Sequence, residues 1–329
     1  MDLVKKEIDW LTDALSTKNI AREMTHYRVG GREIKATDGR ITAGHPWPTE
    51  DQYLVPGTEF EKIVRRMPGD PRVEVEKDHI KVVSGRSRGA IRTMPLEQWD
   101  YPGVDTNAWT DLPEGLIGAL RALRPFVSDN ATHAWSLGVA LDDGWAYATN
   151  NIVLAGVRLP SLDGRESQSI VPVWAIDFIV DRAEDLVEWA WTEYYIGFRW
   201  KNGAWMRSQL IEGTFHERAS EMIRNVDVME LPQPITKEFK STFARAAPLV
   251  PAGSAIKIAR TWLRGAFDEA QFEEGVEVET LDDAAPTSWT ANRLAPVIEI
   301  ASEWEPATWP KPTPFKGEGI CGIVLGRNE

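Results

Sequence analysis

Three pairs of segments recur along the 329-residue chain at nearly one spacing, and this limits its fold more than any other feature does. Ala36-Thr37-Asp38-Gly39, running on to Ala43-Gly44, returns 112 residues later as Ala148-Thr149-Asn150-Asn151, running on to Ala155-Gly156. Val55 to Arg66 (VPGTEFEKIVRR) returns at an offset of 116 as Val171 to Arg182 (VPVWAIDFIVDR). Ile91 to Gln98 (IRTMPLEQ) returns at an offset of 115 as Met206 to Gly213 (MRSQLIEG). Recurrence in one order at one spacing is the mark of a duplicated unit. The first two copies cover 1–108 and 109–225. Residues 226–329 have room for a third, which opens on TKEFKSTFARAA and carries TANRLAPVIEIASEW where the Val-Pro segments of the first two copies fall.

Each copy reads as α+β, with two helices packed on antiparallel sheet. In LVKKEIDWLTDAL, Leu3, Ile8, Leu11 and Leu15 lie close to one helical stripe. After the strand-like YLV, Pro56 opens a helix over 56–67 on which Phe60, Ile63, Val64 and Met67 recur at helical spacing. LPEGLIGALRALRPF and VPVWAIDFIVDRAED are the helices of the second copy. RVEVEKDHIKVVSG alternates as strands do, and YYIGFRWKNGAWMRSQLI reads as a hairpin turning at Asn202-Gly203. The proline-rich WEPATWPKPTPFKGEG is expected to be a loop before a final strand, GICGIVLG.

Composition narrows the function classes. Apolar residues make up 43% and charged residues 26% of the chain, a globular balance. No apolar run is long enough to span a bilayer, and MDLVKKEIDW lacks the apolar core of a signal peptide, so no membrane partner and a cytoplasmic location are expected. The single Cys321 excludes an internal disulfide and a thiolate-rich zinc site, and its apolar setting predicts an inert core thiol. A net charge of −13 argues against a protein that coats nucleic acid by general attraction.

The patterns that suggest catalysis each have a plainer reading. Gly317-x-Gly319-x-x-Gly322 matches a dinucleotide fingerprint, but no helix follows it to receive a pyrophosphate. Ser84-Gly85-Arg86-Ser87-Arg88 could grip phosphate, yet without a following helix it reads as a tight turn between strands. His26, His45, His79, His133 and His216 show no metal-ligand spacing, and no GxSxG elbow occurs, so neither a cofactor nor a metal is expected. Asp142-Asp143 and Asp282-Asp283 read as solvated loop carboxylates, and the sequon Asn130-Ala131-Thr132 has no use in a cytoplasmic chain. The 15 tryptophans could stack on sugar rings, but Trp10, Trp174, Trp200 and Trp205 sit in helix or strand patterns that predict core packing. Trp135 and Trp309 are the ones expected at the surface.

The repeated segments also carry a resemblance. IKVVSGRSRGAIRTMPLEQW resembles the end of the first domain of bacterial DNA polymerase III beta subunits, the sliding clamps, in which an SGRSR turn leads into a strand ending in a Leu-Pro-acidic motif. MRSQLIEGTF is similar to their second-domain strand, matching at Ser208, Leu210, Ile211, Glu212, Gly213 and Phe215, with His216 where Pro is usual. Ala148-Thr149-Asn150-Asn151 resembles the clamp A-T-D-G-H-R-L motif, departs from it at Asn151, Ile152 and Val153, and rejoins it at Leu154. The terminal GIVLGR stands where clamps carry a V-V-M-P-M-R-type tail. The chain is short for a bacterial clamp and its motifs have drifted, so a phage-encoded version is expected.

The resemblance implies three copies of a DNA-clamp unit per chain. Two chains would close head to tail into a six-domain ring, with helices lining the hole and sheets outside. Such a protein is not an enzyme. Its partners would be encircled double-stranded DNA, a replicative DNA polymerase, a clamp loader and a second copy of itself. The six helical segments that would line the hole carry a net −1, against −13 for the chain. DNA contacts would come from Lys62, Arg65, Arg66, Arg121, Arg124, Lys237, Lys240 and Arg245, and from Arg22 and Trp135 at family loop positions, with His133 a weaker neighbour. A peptide-binding pocket would be walled by Thr149, Leu154, Phe215, Ile323, Val324 and Leu325, with Met222 beside them. Val324→Asp is then expected to spare the fold and abolish binding of the polymerase's C-terminal peptide. Two other readings remain open: an acidic, Trp-rich carbohydrate-active enzyme using paired carboxylates, and a monomeric clamp-like protein that binds peptides only.

Overall fold

The computed structural model describes residues 4–327 except 17, 19, 20, 97–102, 106, 129–132, 166, 268 and 269, and describes the backbone alone at 22, 23, 267 and 270. The expected stripe residue Leu3, the end of the MPLEQW segment and the sequon lie outside the described residues.

One succession of elements runs through the chain three times. The first copy has α1 (Val4–Leu11), the single turn α2 (Arg22–Thr25), β1 (His26–Gly30), β2 (Glu33–Thr37), β3 (Ile41–Pro46), β4 (Tyr53–Pro56), α3 (Gly57–Arg66), β5 (Arg72–Val75), β6 (His79–Ser84) and β7 (Ser87–Arg92). The second has a short β8 (Trp109–Asp111), α4 (Leu116–Leu123), β9 (Gly138–Asp142), β10 (Trp145–Thr149), β11 (Val153–Arg158), β12 (Ser169–Pro172), α5 (Val173–Asp181), β13 (Leu186–Trp191), β14 (Tyr195–Trp200) and β15 (Trp205–Gln209). A connecting helix, α6 (Glu217–Val228), leads into the third. That copy has β16 (Gln233–Pro234), α7 (Lys237–Ala246), β17 (Ala255–Ile258), β18 (Trp262–Phe267), β19 (Ala270–Gly275), β20 (Thr287–Thr290), α8 (Ala291–Ile300), β21 (Ala301–Trp304), β22 (Thr313–Gly317) and β23 (Ile320–Val324).

The sheets repeat as the elements do. Setting aside the short β8 and β16 that open copies two and three, and counting strands from the one after them, the first four strands of each copy take one spatial order: β4-β1-β2-β3, β12-β9-β10-β11 and β20-β17-β18-β19. The third strand of a copy then pairs antiparallel with the last strand of the next, β3 with β15 (Ala43 opposite Met206) and β11 with β23 (Leu154 opposite Ile323). Two eight-stranded sheets result, while β19 and β7 remain as edge strands of a four-stranded and a three-stranded sheet. By compactness the chain forms two units, residues 1–113 with 177–210, and 114–176 with 211–329. Each unit holds one eight-stranded and one smaller sheet.

The recurring sequence has a physical cause. In Thr37 to Ile41, the Thr37 hydroxyl donates to the Ile41 carbonyl (2.7 Å) and accepts from the Gly39 amide (3.1 Å), and the Asp38 carboxylate accepts from the Ile41 amide (2.8 Å). Thr149, Asn150, Asn151 and Val153 reproduce these bonds at 2.8, 3.0 and 2.8 Å. The third residue is left-handed in both turns, with φ +88° at Gly39 and +69° at Asn151. Asparagine tolerates that region better than other side chains, so Asn151 replaces glycine without losing the turn. The Val-Pro pairs end strands: Pro56 is the last residue of β4 and the N-cap of α3, so this helix opens at Gly57, one residue after the expected start.

The apolar stripes find their cores. Ile8 and Leu11 on α1 and Phe60 and Val64 on α3 are fully or almost fully buried, as are Leu116, Leu120 and Leu123 on α4. Each such side chain contributes roughly 1.5–3 kcal/mol of burial. Leu15 stands beyond the helix, in extended backbone after a 3-10 turn. The proline-rich stretch is shorter as a loop than expected, because Thr313–Gly317 forms β22. There Pro314 offers its carbonyl to the Glu305 amide (3.0 Å) and has no amide of its own to place. Helix α6 was not expected. Its buried face is Ser220, Ile223 and Val226, and the copy boundary expected at 225/226 falls inside it.

A candidate peptide site and a set of exposed cations

Strand pairing in the second unit draws the expected pocket residues together. Val153 and Leu154 on β11 lie opposite Val324 and Ile323 on β23, and the Leu325 amide donates to the Ile152 carbonyl (2.8 Å). Thr149 holds the turn that feeds β11. Helix α6 packs across β11, β22 and β23. Its N-cap is His216, whose Nδ1 accepts from the Arg218 amide (3.3 Å). The unusual histidine therefore keeps the start of this helix.

One buried cluster contains Leu154, Phe215 and Ile323 together with Trp145, Tyr147, Ile170, Ile223 and Cys321. Thr149, Leu154, Phe215, Ile323 and Val324 are all less than a tenth exposed, whereas Met222 is 39% and Leu325 41% exposed. The expected walls thus divide into a floor of five buried residues and two exposed apolar side chains. Ile211, Ala219 and Trp135 are half-buried around that floor, and the sequence reading placed none of them there. Val324 is 1% exposed in the middle of a sheet, so Val324→Asp would bury a charge and break the fold. The expectation that it spares the fold is corrected on that ground.

Trp135 also differs from its expected setting. It is half-buried, with its ring edge-on to Phe215 (5.8 Å, 83°) and stacked under His133 (5.2 Å, 10°). Phe215 in turn stacks on Tyr147 (5.5 Å), and Tyr147 on Trp145 (5.8 Å). His133 is the exposed ring at the outer end of this series, so it presents the free face that was expected of Trp135. Burial pushes the Tyr147 phenol up, against the pull of Arg224, whose Nε donates to the phenol oxygen (3.1 Å). Nearby, burial brings the Arg165 guanidinium down to about 10. Trp309 is likewise half-buried, its indole N–H donating to the Ser288 carbonyl (3.1 Å).

The expected DNA-contacting cations fall into two groups. Lys62, Arg66, Arg121 and Lys237 are exposed on α3, α4 and α7, with no ion-pair or hydrogen-bond partner among the described residues. Arg65 is held by Asp9 (3.0 Å), Arg245 by Glu274 (3.5 Å), and the Lys240 ammonium donates to the Glu299 carbonyl (2.9 Å). Arg124 is half-buried in the turn that ends α4. Arg22 begins α2, and its side chain lies outside the described residues.

The patterns read as structural behave so. Gly317, Gly319 and Gly322 belong to the β22–β23 hairpin, and the SGRSR segment is the β6–β7 turn, with Gly85 at φ +57°. Burial pushes the Cys321 thiol up to about 12. Asp143 accepts from the Gly164 amide (2.8 Å) and Asp283 from the Thr261 amide (2.8 Å), so one carboxylate of each pair ties a loop, Asp283 at the edge of a cleft lined also by Lys257 and Arg264.

No protein-family model and no curated protein matches this chain. Solved structures do. The beta subunit of DNA polymerase from Streptococcus pyogenes superposes with a TM-score of 0.81 at 16% identity, over 99% of this chain and 98% of that one. The Caulobacter crescentus beta sliding clamp gives 0.80 at 19% identity over 99% and 97%. The DNA polymerase III beta subunit from Pseudomonas aeruginosa gives 0.79 at 16% over 99% and 98%. The chain has the sliding-clamp fold. At this level of identity the likeness concerns architecture, and it accounts for the internal repeat that the sequence displays.

Proposed function

We propose that this protein is a sliding clamp, a non-catalytic processivity factor that encircles duplex DNA and tethers a replicative polymerase. The carrying observation is the unfinished pairing rule of the sheets. The third strand of copy one joins the last strand of copy two, and the third strand of copy two joins the last strand of copy three. The third strand of copy three (β19) and the last strand of copy one (β7) are left as edges. A second chain applies the same rule twice and closes a ring, a heterologous contact that leaves no free end. The edges carry opposite charges: Arg88 and Arg92 lie on β7, and Glu273 and Glu274 on β19, where Arg264 and Arg245 of the same chain also pair with them. An open edge of this kind is otherwise an aggregation hazard.

On this reading the copies at 1–108, 109–225 and 226–329 are the clamp domains. Lys62, Arg66, Arg121 and Lys237 make loose phosphate contacts, and the Leu325–Met222 rim receives polymerase and loader peptides. Sedimentation should give a dimer of 37.0 kDa chains, and the protein should stay on nicked circular DNA and leave when the circle is cut. A monomer at micromolar concentration without retention on circles would overturn the proposal.

A further inference from the structure

The floor of the apolar site is buried, and the half-buried Trp135 ring packs against it through a ring contact. Leu154, Phe215 and Ile323 are each less than a tenth exposed, and the half-buried Trp135 packs T-shaped against Phe215. Other tryptophans are pinned through the indole N–H: Trp289 donates to the Thr287 hydroxyl (2.8 Å), Trp309 to the Ser288 carbonyl (3.1 Å) and Trp205 to the Glu33 carboxylate. The Trp135 indole has no hydrogen-bond partner among the described residues and is held by two ring contacts. Its backbone, by contrast, is anchored. Ser136 is fully buried, its hydroxyl donates to the His133 carbonyl (2.8 Å), and its carbonyl accepts from the Ser128 amide (2.8 Å). A fixed main chain under an unpinned ring permits the indole to move without moving the fold.

We propose that the Trp135 indole is a swinging wall of this site. The apolar anchor of an incoming linear peptide takes its place against Phe215, Ile211 and Ala219. This regulation rests on reading the site as a peptide site. Met222 and Leu325, both substantially exposed, form the approach, and a thioether beside a leucine accommodates anchors of different shape. The two ring contacts that must be given up set the cost of opening, worth about a tenfold change in affinity for anything that enters. The displaced ring is then free to stack on a base or sugar, the role its sequence position suggested, so peptide occupancy and nucleic-acid contact draw on one side chain.

The test uses the full chain and the apolar probe 1-anilinonaphthalene-8-sulfonate. Trp135→Ala should bind one probe per chain about tenfold more tightly than the unmodified protein. Trp135→Phe should bind it weakly, and adding Leu325→Lys to Trp135→Ala should abolish the gain. Equal affinity in all variants, or a gain that survives Leu325→Lys, would overturn the proposal. A measurement independent of the alanine variant labels the unmodified chain with 5-fluorotryptophan, assigning the Trp135 fluorine signal by its loss in Trp135→Phe. Saturating probe should move that signal toward its solvent-exposed position, and an unmoved signal refutes the swing. None of these readouts requires DNA or a dimer, so failure of the ring and failure of the swinging wall are told apart.

Discussion

Glu7 offers a sharp test of how the first unit is held together. It lies on the buried face of α1 and is 4% exposed. Its Oε1 stands 3.8 Å from Nδ1 of His45 on β3, and its Oε2 has no hydrogen-bond partner. Asp70, which accepts from the Val4 (3.3 Å) and Lys5 (3.1 Å) amides at the start of the same helix, adds a repelling charge. Burial, and then Asp70, push the Glu7 carboxyl from 4.5 up to about 7. The folded state therefore holds a proton that the unfolded chain gives up. Stability from this group is fully present below pH 4.5 and is lost as pH rises to 7, by about 3 kcal/mol in all. Burial lowers His45 below its usual value, and this group has the opposite slope, losing stability as pH falls below 6.5. Only the difference between two proteins isolates Glu7. Glu7→Gln has no proton to lose, so its midpoint should gain on the unmodified protein as pH rises from 4.5 to 7.5. At roughly 2–4 °C per kcal/mol, the gain should reach about 5–10 °C. Thermal unfolding followed by circular dichroism across pH 4.5–8.5 measures it. Parallel pH profiles for the two proteins would refute the reasoning, because they would mean that Glu7 is already solvated in the folded state.

Other consequences follow from the same geometry. Leu325→Lys should leave the thermal midpoint within about 1 °C and abolish binding of the cognate polymerase's C-terminal peptide by calorimetry. Val324→Asp should lower stability by about 3–5 kcal/mol or prevent folding, which circular dichroism and expression in the folded fraction would show. Arg88→Glu with Arg92→Glu on β7 should weaken self-association in sedimentation and leave the monomer's circular dichroism unchanged. Thr236→Ala removes the hydroxyl that accepts from the Phe239 amide (3.1 Å) at the start of α7 and should cost about 1 kcal/mol in denaturant titration.

Much of the fold was legible because it is repeated. A turn such as Thr149 to Val153 needs a hydroxyl, an Asx side chain and a left-handed third residue at fixed positions, and the second instance of that pattern at Thr37 exposes the unit. The helices over 57–66, 116–123 and 173–181 were legible from apolar spacing, and the β14–β15 hairpin from Asn202-Gly203. Helix α6 was missed because it belongs to the connector and has no counterpart among the described residues between the first two copies. Its signal was present in the spacing of Ser220, Ile223 and Val226. The site was less legible than the fold. Leu154, Phe215 and Ile323, named from motifs, share one buried cluster, but motifs cannot say that these three are closed off while Met222 and Leu325 are exposed. That division depends on which strand faces are covered by α6, a long-range property. Trp135 shows the same limit: its place in the chain suggested a surface ring, and its contact with Phe215 is 80 residues away in sequence.

Charge, which first spoke against nucleic acid, is better judged side chain by side chain than by its sum. Of the helix cations, Arg65, Lys240 and Arg245 are already engaged by neighbouring groups, and those without partners among the described residues are Lys62, Arg66, Arg121 and Lys237. Each phosphate neutralised adds about 0.9 to the salt exponent of binding, so a few such contacts give an affinity that physiological salt largely removes. A protein that relied on attraction would be poorly served by this arrangement. A protein held on DNA by closure needs little attraction, and strong contacts would only add friction to sliding. On the proposed reading the engaged cations fit the open β7 and β19 edges: a protein retained by topology can carry a net charge of −13 that discourages adhesion to nucleic acid.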